Sequence, residues 1–263
     1  MSRLILDSVG REVIIPEMPT RVISLCPSQT ETLVALGIAD RLVGITRFCV
    51  HPETTWKTVT RIGGTKTPNY EKISSLNPDL IIAEKEENTQ EIIHTLEKDF
   101  PVVVTNVESI EDSLIMITQL GNWIQAPEAG DKLSSKVKQA LQQIETWPAM
   151  EVAYFIWKDP WMVAGHSTYI NSVLQFMGLK NCFTSMPGRY PEISLAQLKH
   201  ADPQIVFLSS EPYPFKEEHA IALKSILPES YIIPVDGEMF SWYGVHQLEM
   251  PSYLNKLKEG LLG

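Results

Sequence analysis

The segment Arg21–Gly37, RVISLCPSQTETLVALG, places a cysteine between an apolar run and a helical pattern. Ser28 and Glu31 have the three-residue spacing of a capping box, with Ser28 as the N-cap, and Gly37 is suited to end the helix. An exposed thiol at a helix N-terminus has a lowered pKa, so Cys26 is a candidate nucleophile or soft metal ligand. Because ligands of open α/β sheets bind beside such strand-to-helix turns, the sequence predicts a ligand site at this turn.

Histidines and carboxylates elsewhere in the chain are candidate metal ligands. They are His51, His166 and His246, with Glu84 and Glu238 as oxygen donors. Zinc and manganese sites commonly combine imidazole with carboxylate. His246 is the metal ligand that we predict, although each histidine is alternatively an ordinary surface or core residue.

Sequence motifs of common enzyme classes are absent from the chain. It contains no GxSxG nucleophile elbow, no GxxxxGK[ST] phosphate loop and no HExxH zinc motif. The pair Gly63-Gly64 is explained by a tight turn rather than by a dinucleotide-binding fingerprint. We therefore predict a protein without catalytic activity, and a metal-dependent enzyme that uses Cys26 or His246 is the least favoured alternative.

Strand and helix patterns must position these residues, and they alternate along the chain, which is typical of α/β layers. The segments LILD and REVIIP, separated by Ser8-Val9-Gly10, predict a hairpin at the start. Near-continuous apolar strands indicate a sheet that is covered on both faces. The first series has predicted strands at Val22–Leu25, Leu42–Ile45, Leu80–Ala83 and Val102–Val104 and predicted helices at Thr30–Leu36, Tyr70–Ser75, Thr89–Lys98 and Ile110–Ile124.

A second series of the same kind begins near Val152. Its predicted strands are Val152–Phe155, Met162–Ala164, Ile205–Leu208 and Tyr231–Val235, and its predicted helices are Tyr169–Met177, Leu195–His200, Ala220–Leu227 and Ser252–Leu262. Between the two series, apolar residues recur at helical spacing from Pro127 to Thr146, which predicts a helix of about 20 residues and roughly 30 Å. A helix with one narrow apolar stripe between two α/β halves is interpreted as a rigid connector.

The predicted fold class is therefore α/β, with two three-layer α/β lobes that have central, mainly parallel sheets and are joined by one long rigid helix. We predict an N-terminal lobe over residues 1–124, a connecting helix over residues 125–147 and a C-terminal lobe over residues 148–263. The length permits this organisation, because 263 residues suffice for one large or two medium domains.

Composition and charge narrow the class of protein. The chain is 44% hydrophobic and 21% charged, which is ordinary for a soluble globular protein, and its net charge is −10. This charge argues against nucleic acid or anionic membranes as main partners. No run approaches the roughly 20 apolar residues of a membrane span, and the first residues lack the pattern of a signal peptide. Three cysteines, Cys26, Cys49 and Cys182, exclude a full disulfide framework; we interpret them as mostly buried thiols, and one bridge plus a free thiol is the alternative.

Four segments, taken in order, carry a family resemblance. They are DSVGREVIIPEMPTRVISLCPSQTETLVALG at Asp7–Gly37, IGGTKTPNYEKISSLNPDLIIAEKEEN at Ile62–Asn88, the connecting helix, and GRYPEISLAQLKHADPQIVFLSS at Gly188–Ser210. Over essentially its whole length the chain resembles the periplasmic binding proteins of ABC importers for cobalamin, ferric siderophores and haem, the class with a helical backbone (class III). The resemblance implies a bilobal, non-enzymatic binding protein that holds its ligand in the cleft between the lobes.

The same resemblance places the ligand against loops at the inner ends of the two lobes. Flat aromatic rings in those loops suit a large planar macrocycle, because each ring buries apolar area with few rotors to freeze. The ligand-binding residues that the resemblance implies are Cys26, Pro27, Ser28, Phe48, Thr65, Lys66 and Glu84 in the N-lobe and Trp161, Tyr190, Glu238 and Trp242 in the C-lobe.

The chain departs from the cobalamin members of this family at several of these positions. Lys66 or its neighbour, and Glu84, stand where some cobalamin binders have tryptophan, and Trp242 aligns with an arginine of some members. The implied cleft mixes rings with charges, so cobalamin, a ferric siderophore and haem all remain open as ligands. A cationic Lys66 or Arg47 suits an anionic chelate. The candidate axial ligands for haem are Tyr190, Tyr243 and His246.

A second implied surface docks the binding protein to permease subunits of the importer. Family members present one carboxylate on the top of each lobe to arginines of the permease. Glu71, in NYEKI, matches the N-lobe position, and Glu192 lies close to the C-lobe position, where the aligned residue is Ala196. Exposed ion pairs of this kind give orientation and association rate more than affinity.

We therefore expect a monomeric, high-affinity solute-binding protein of an ABC-type importer, without an intrinsic cofactor, whose ligand is a metal complex such as a cobalt corrinoid or a ferric chelate. A periplasmic or lipid-anchored extracytoplasmic location is expected if a leader has been removed, and a cytoplasmic location if Met1 is the true start. In the second case the alternative is an intracellular protein that handles or senses a metal cofactor on the same fold.

Overall fold

The computed structural model describes residues 1–262, which form two compact units. Unit 1 consists of Met1–Val107, Glu111–Gln139 and Tyr243–Leu248. Unit 2 consists of Glu108–Ile110, Ala140–Trp242 and the chain from Glu249 on. Unit 1 thus contains a short segment from late in the chain. The division into residues 1–124, 125–147 and 148–263 remains a prediction.

Strands and helices alternate along the first part of the chain. The strands are β1 (Ser2–Leu6), β2 (Glu12–Pro16), β3 (Val22–Ser24), β4 (Leu42–Ile45), β5 (Thr60–Arg61), β6 (Leu80–Glu84) and β7 (Val102–Thr105). The helices are α1 (Pro27–Ala35), α2 (Glu53–Thr58), α3 (Tyr70–Ser75), α4 (Gln90–Leu96), α5 (Ile110–Trp123) and α6 (Pro127–Leu141). Unit 1 also contains two short 3-10 helices, Ala39–Arg41 and Gly244–Leu248.

The central sheet of unit 1 is parallel, in the order β5-β4-β3-β6-β7. Ile23 of β3 lies opposite Gly44 of β4 and Ile81 of β6. Every residue of β3, β6 and β7 is buried, as expected for strands that are covered on both faces. One face of the sheet forms a core with Ile23, Leu25, Ile62, Ile73, Ile81, Ala83, Ile92, Ile93, Leu96, Val102 and Val104.

The D-x-x-G-R motif ties the N-terminal hairpin, in which β1 pairs antiparallel with β2, to the central sheet. The buried carboxylate of Asp7 accepts hydrogen bonds from Arg11 Nε at 2.9 Å and from the backbone N–H of Val104 at 3.1 Å. Arg11 donates in turn to the carbonyl oxygen of Val102 at 2.9 Å. The motif therefore has a structural role, because it fixes the hairpin against β7.

Unit 2 contains a second α/β arrangement. Its strands are β8 (Glu151–Trp157), β9 (Met162–Val163), β10 (Lys180–Asn181), β11 (Ile205–Ser209) and β12 (Tyr231–Val235), and its helices are α7 (Tyr169–Phe176), α8 (Leu195–Ala201), α9 (Glu217–Ile226), α10 (Glu238–Ser241) and α11 (Met250–Leu262). The strands β10, β8, β11 and β12 are parallel in this order, and β9 pairs antiparallel with β8. The core includes Ala153, Phe155, Val163, Phe183, Ile193, Leu198, Val206, Leu208, Leu223 and Leu227.

The predicted α/β class with mainly parallel sheets is confirmed, and the predicted strands and helices are present with small shifts at their ends. The bounds of β4, β12 and α3 are those predicted. The prediction omitted α2, β5, β10 and α10, whose sequences show no clear apolar period. No helix among residues 1–262 combines the length and the apolar character needed to cross a membrane.

The predicted capping box at the start of α1 is wrong. The helix begins at Pro27, with Cys26 as the N-cap and without a side-chain cap hydrogen bond. Proline at the first helical position has the φ angle that a helix needs, so the helix starts before Ser28. Ser28 and Glu31 instead contact the late segment Tyr243–Leu248.

The predicted connecting helix is too long at its C-terminal end. The helix α6 has 15 residues and ends at Leu141 rather than at Thr146, which makes it about 22 Å long. Ile144 continues the apolar spacing and is buried, but it lies in a turn after the helix. The apolar spacing therefore extends beyond the end of the helix, because a residue can be buried without having a helical backbone.

Candidate functional site

Most of the implied ligand-binding residues lie after the carboxyl ends of parallel strands. In unit 1 the strand order reverses between β3 and β6, and in unit 2 it reverses between β8 and β11. Ligands of open α/β sheets bind in the crevice at such reversals. We call the loops after β3, β4, β5 and β6 the unit 1 edge, and the loops after β8, β11 and β12 the unit 2 edge.

The turn after β3 is buried against Tyr243. The exposed fraction of Cys26 is 2%, and its Sγ lies 3.5 Å from the hydroxyl oxygen of Tyr243. The backbone N–H of Tyr243 donates to the hydroxyl oxygen of Ser28 at 3.3 Å. Burial, followed by the charges of Glu87 and Glu84, raises the pKa of the Cys26 thiol well above its usual value. Cys26 is therefore a protonated thiol, and the exposure that a lowered pKa requires is missing.

Glu84, at the end of β6, is a buried carboxylate at the same strand reversal. Its exposed fraction is 2%. One carboxylate oxygen accepts the backbone N–H of Glu86 at 2.7 Å and that of Glu87 at 2.9 Å. Burial raises the pKa of Glu84 to about 7, although these two hydrogen bonds lower it. Glu84 is thus able to change its charge near neutral pH.

Asn88 joins the loops that follow β5 and β6. Its side chain accepts the backbone N–H of Glu84 at 2.8 Å and donates to the carbonyl oxygen of Thr65 at 3.0 Å. Asn88 and Thr65 are buried, whereas Lys66 is exposed. The ammonium group of Lys66 donates to the carbonyl oxygen of Glu86. These contacts bring three of the predicted residues, Thr65, Lys66 and Glu84, together in one network.

Phe48 presents an exposed ring at the unit 1 edge. Its exposed fraction is 46%, and the guanidinium carbon of Arg47 lies 4.8 Å from the centroid of its ring. This distance is within the range of a cation–π contact. The backbone N–H of Arg47 donates to the carbonyl oxygen of Gly63 at 2.8 Å, which fixes the loop. Phe48 and Arg47 therefore present an aromatic ring and a cation side by side at the unit 1 edge.

The segment Tyr243–Leu248 packs beside the turn after β3, a contact that the sequence did not predict, although Tyr243 and His246 were candidate haem ligands. The backbone N–H of Gly244 donates to the hydroxyl oxygen of Ser113 at 2.9 Å. Gly244 has a φ of +73°, and a Cβ at this position would lie 2.1 Å from Thr32 Oγ1. Only glycine is suited to this backbone and this space. The sequence Trp242-Tyr243-Gly244 was the signal that could have drawn attention to this segment. It does not reveal which helix the segment contacts.

His246, on the same segment, contacts side chains of unit 1. Its Nδ1 lies 3.0 Å from Glu31 Oε2, and its ring centroid lies 5.8 Å from that of His51. Among residues 1–262, no three histidine, cysteine, aspartate or glutamate side chains are grouped so that they could hold a metal ion. The role of His246 as a metal ligand remains a prediction.

Trp161 belongs to a cluster of aromatic rings at the unit 2 edge. Its ring lies at 9° to that of Phe215 with 6.1 Å between centroids, and it meets Phe155 edge-on at 5.4 Å. Tyr213 meets Phe215 edge-on at 4.8 Å and Trp157 at 5.5 Å. Trp157 is 40% exposed, and Trp161, Tyr213 and Phe215 are half-buried. Tyr213 and Phe215 were not among the predicted ligand-binding residues, although two rings in the segment EPYPF, directly after a predicted strand, were a usable signal.

Trp242 is held by a carboxylate on the loop that follows β11. Its indole N–H donates to Glu211 Oε1 at 3.1 Å, and the hydroxyl of Ser241 donates to the same oxygen at 3.0 Å. Burial raises the pKa of Glu211 above its usual value, and the nearby charge of Glu238 adds to this effect. Trp242 is 7% exposed, and Glu238 is half-buried at the start of α10.

Tyr190 and the two predicted docking residues lie on other loops and helices. Tyr190 is half-buried and follows Arg189, whose carbonyl oxygen accepts the backbone N–H of Gly165 at 2.8 Å. Glu71 is exposed in the first turn of α3. Glu192 is exposed before the start of α8. Both carboxylates are therefore accessible at the surface of their own unit.

Known proteins show both sequence and structural similarity to this chain. The family model for periplasmic binding proteins matches residues 22–224. A vitamin B12-binding protein of Vibrio cholerae serotype O1 is 29% identical over 207 residues, which cover 77% of this chain and 72% of that protein. The crystal structure of the periplasmic vitamin B12 binding protein of Vibrio cholerae has a TM-score of 0.78 at 22% identity, covering 92% of this chain and 97% of that one. The structure of a periplasmic haem binding protein from Pseudomonas aeruginosa has a TM-score of 0.77 at 21% identity, covering 93% and 94%.

Proposed function

Because this chain belongs to the periplasmic binding protein family, we propose that it is a high-affinity solute-binding protein that delivers a corrinoid or another metal chelate to an ABC-type importer. The observation that carries the proposal is the pair of accessible aromatic rings after the carboxyl ends of parallel strands, Phe48 after β4 at the unit 1 edge and Trp161 after β8 at the unit 2 edge. Such rings bury a large apolar area against a planar macrocycle at little conformational cost. The names of relatives, vitamin B12-binding and haem binding, support this ligand class.

The proposed contacts combine these rings with charged groups. Cys26 and Ser28 are buried against Tyr243, so we propose that they and Pro27 act by shaping the turn. The residues proposed to contact the ligand directly are Phe48, Thr65, Lys66, Trp161, Tyr190, Glu238 and Trp242. Glu84 is as buried as Cys26, so we propose that it acts by fixing the turn at Glu86 and Glu87.

The proposed function contains no chemical step. Cys26, the candidate nucleophile named from the sequence, is buried with a raised pKa and is therefore a poor nucleophile. The metal arrives with the ligand, so the protein needs no cofactor of its own. We propose that the protein is a monomer and that it lies outside the cytoplasm, where it meets both its ligand and a permease.

Isothermal titration of the full chain with cyanocobalamin, dicyanocobinamide, haemin and ferrichrome tests the ligand class. We expect one of these compounds to bind at a single site with a dissociation constant of about 1 μM or tighter, which corresponds to about −8 kcal/mol. Failure of the folded protein to bind any of the four would overturn the proposal.

Variants of the two proposed rings test the location of the site. Phe48→Ala and Trp161→Ala are each expected to weaken the bound compound by about tenfold, because a buried aromatic contact is worth on the order of 1–2 kcal/mol. Phe176→Ala is the matched control, since Phe176 is a 40% exposed ring at the end of α7. Equal affinities of all three variants would place the ligand elsewhere.

Glu71 and Glu192 are proposed to dock the protein to the permease. Glu71→Lys and Glu192→Lys are expected to leave the affinity for the ligand unchanged and to lower ligand uptake by the importer reconstituted in vesicles, because like charges then meet the permease arginines. Glu128→Lys, in the first turn of α6, is the matched control. Unchanged uptake with both docking variants would contradict this part of the proposal.

A further inference from the structure

We infer that the loop Glu211–Phe215 is a ligand-contacting loop of the unit 2 edge, with Tyr213 and Phe215 contacting the planar ring of the ligand and Glu211 positioning Trp242. The inference rests on the proposed function and deepens it. The loop directly follows β11, one of the two strands between which the strand order of unit 2 reverses. Any ligand that enters this crevice therefore meets the loop.

The rings of the loop are arranged as a partly exposed wall. Phe215 lies nearly parallel to Trp161, and Tyr213 stands edge-on between Phe215 and Trp157. Their inner side is supported by the core residue Phe155, 6.4 Å from Phe215 between centroids. Because each ring leaves part of its surface accessible, the wall offers a flat conjugated ligand both stacking and edge-on contacts.

Hydrogen bonds hold the far end of the loop in one conformation. The hydroxyl oxygen of Tyr213 lies 3.4 Å from His219 Nε2, and the backbone N–H of Lys216 donates to His219 Nδ1 at 2.8 Å. His219 itself is buried in the first turn of α9. The rings are therefore fixed before a ligand arrives, which lowers the entropic cost of binding.

Glu211 links the start of the loop to a second predicted contact. One oxygen of its carboxylate accepts both the indole N–H of Trp242 and the hydroxyl of Ser241. The hydroxyl of Ser241 helps to hold this oxygen in place, and the oxygen in turn restrains the indole N–H of Trp242. Glu211 is a positioning residue, since it acts on the ligand through Trp242.

Titration of the full-length wild type and its variants with haemin and cyanocobalamin tests the ring contacts. Tyr213→Ala and Phe215→Ala are each expected to weaken the bound probe by about tenfold, and Tyr213→Phe is expected to weaken it less, because it keeps the ring and loses only the hydroxyl contact with His219. Tyr213→Leu and Phe215→Leu preserve apolar packing and give the same test if the alanine variants fail to fold. Tyr231→Ala removes a 46% exposed ring of β12 and is the matched control.

The role of Glu211 is tested by a rescue. Glu211→Ala is expected to weaken the probe and to shift the fluorescence emission of Trp242, whereas Glu211→Gln keeps an acceptor oxygen and is expected to restore both. A purely structural role would lower the melting temperature without changing the affinity of the remaining folded protein.

The possible failures of the two proposals are distinct. If the Tyr213 and Phe215 variants bind a probe as tightly as the wild type does, the inference is wrong and the proposed function still stands. A folded wild type that binds neither haemin nor cyanocobalamin would overturn the inference, and the proposed function would fall with it only if dicyanocobinamide and ferrichrome also fail to bind.

Discussion

The hydroxyl oxygen of Tyr243 lies 3.5 Å from the sulfur of Cys26, although 217 positions separate the two residues in the chain. Both side chains are buried, so the ring of Tyr243 shields the thiol from solvent. We expect Cys26 and Cys49 to react slowly with iodoacetamide in the folded protein, because both are buried and their pKa values are raised by burial. Tyr243→Ala opens space beside Cys26 and is expected to accelerate its alkylation, measured by peptide mass spectrometry.

Two internal comparisons control this experiment. Tyr243→Phe keeps the ring and is expected to leave Cys26 protected. Cys49 reports on global unfolding, because it contacts Thr30 and Thr46 rather than Tyr243. Equal acceleration at Cys26 and Cys49 would show that the variant unfolds the unit, and no acceleration at Cys26 would contradict shielding by Tyr243.

Glu84 makes the free energy of unfolding depend on pH. Its pKa of about 7 in the folded protein lies above the ordinary value of 4.5, so the folded state binds more protons than the unfolded state between these two values. The free energy of unfolding therefore falls as pH rises from about 4.5 to 7 through this group, by up to about 3 kcal/mol. Glu84→Gln keeps the acceptor oxygen without the charge and is expected to be the more stable protein at pH 8.

Urea unfolding of wild type and Glu84→Gln at pH 4.5, 6 and 8 measures this effect. The stability difference is expected to be small at pH 4.5 and largest at pH 8. Glu12→Gln is the control, because Glu12 is an exposed carboxylate on β2. If the difference in the free energy of unfolding between Glu84→Gln and wild type is the same at all three pH values, the raised pKa of Glu84 is contradicted.

The sequence predicted the strands and most helices because local apolar runs decide them. β4, β12 and α3 coincide with their predicted ranges, and the Asp7–Arg11 motif forms the expected hairpin. The end of α6 was misplaced because Ile144 is buried in a turn, where apolar spacing continues without helical hydrogen bonds.

The candidate site was predicted less completely because its main contacts join distant parts of the chain. Ser28 and Glu31 have capping-box spacing, but their side chains contact Tyr243 and His246, which a local pattern does not reveal. The same reason applies to Trp242, whose partner is Glu211. Residue types indicated a ring-lined site, whereas the hydrogen-bond partners that orient the rings required the folded chain.

Asn88 is expected to be important for both stability and ligand affinity. Its buried side chain bonds to the backbone of Glu84, Thr65 and Leu25 at 2.8, 3.0 and 3.5 Å. Asn88→Ala leaves these buried groups without this partner, so we expect a loss of about 2–3 kcal/mol in the free energy of unfolding and a weaker ligand complex. Urea unfolding and isothermal titration measure the two effects.

Asn69→Ala is the matched control for this variant. Asn69 is the exposed N-cap of α3 and accepts the backbone N–H of Lys72 at 2.8 Å. Its replacement is expected to cost about 1 kcal/mol and to leave ligand affinity unchanged. Equal loss of affinity in both variants would show that Asn88 acts only through global stability.

Replacement of a helical glycine by alanine is expected to have different effects on stability at Gly121 and at Gly260. A Cβ at Gly121 of α5 would lie 2.8 Å from Gly130 Cα of α6 and 3.0 Å from the carbonyl oxygen of Ala126, whereas a Cβ at Gly260 of α11 would have no atom within 4 Å. Alanine favours a helix over glycine by about 1 kcal/mol, so Gly260→Ala is expected to be neutral or stabilising. Gly121→Ala must separate α5 from α6, and we expect a loss of about 1–3 kcal/mol. Thermal unfolding of both variants measures the contrast, and a Gly121→Ala protein as stable as Gly260→Ala would show that the two helices adjust without cost.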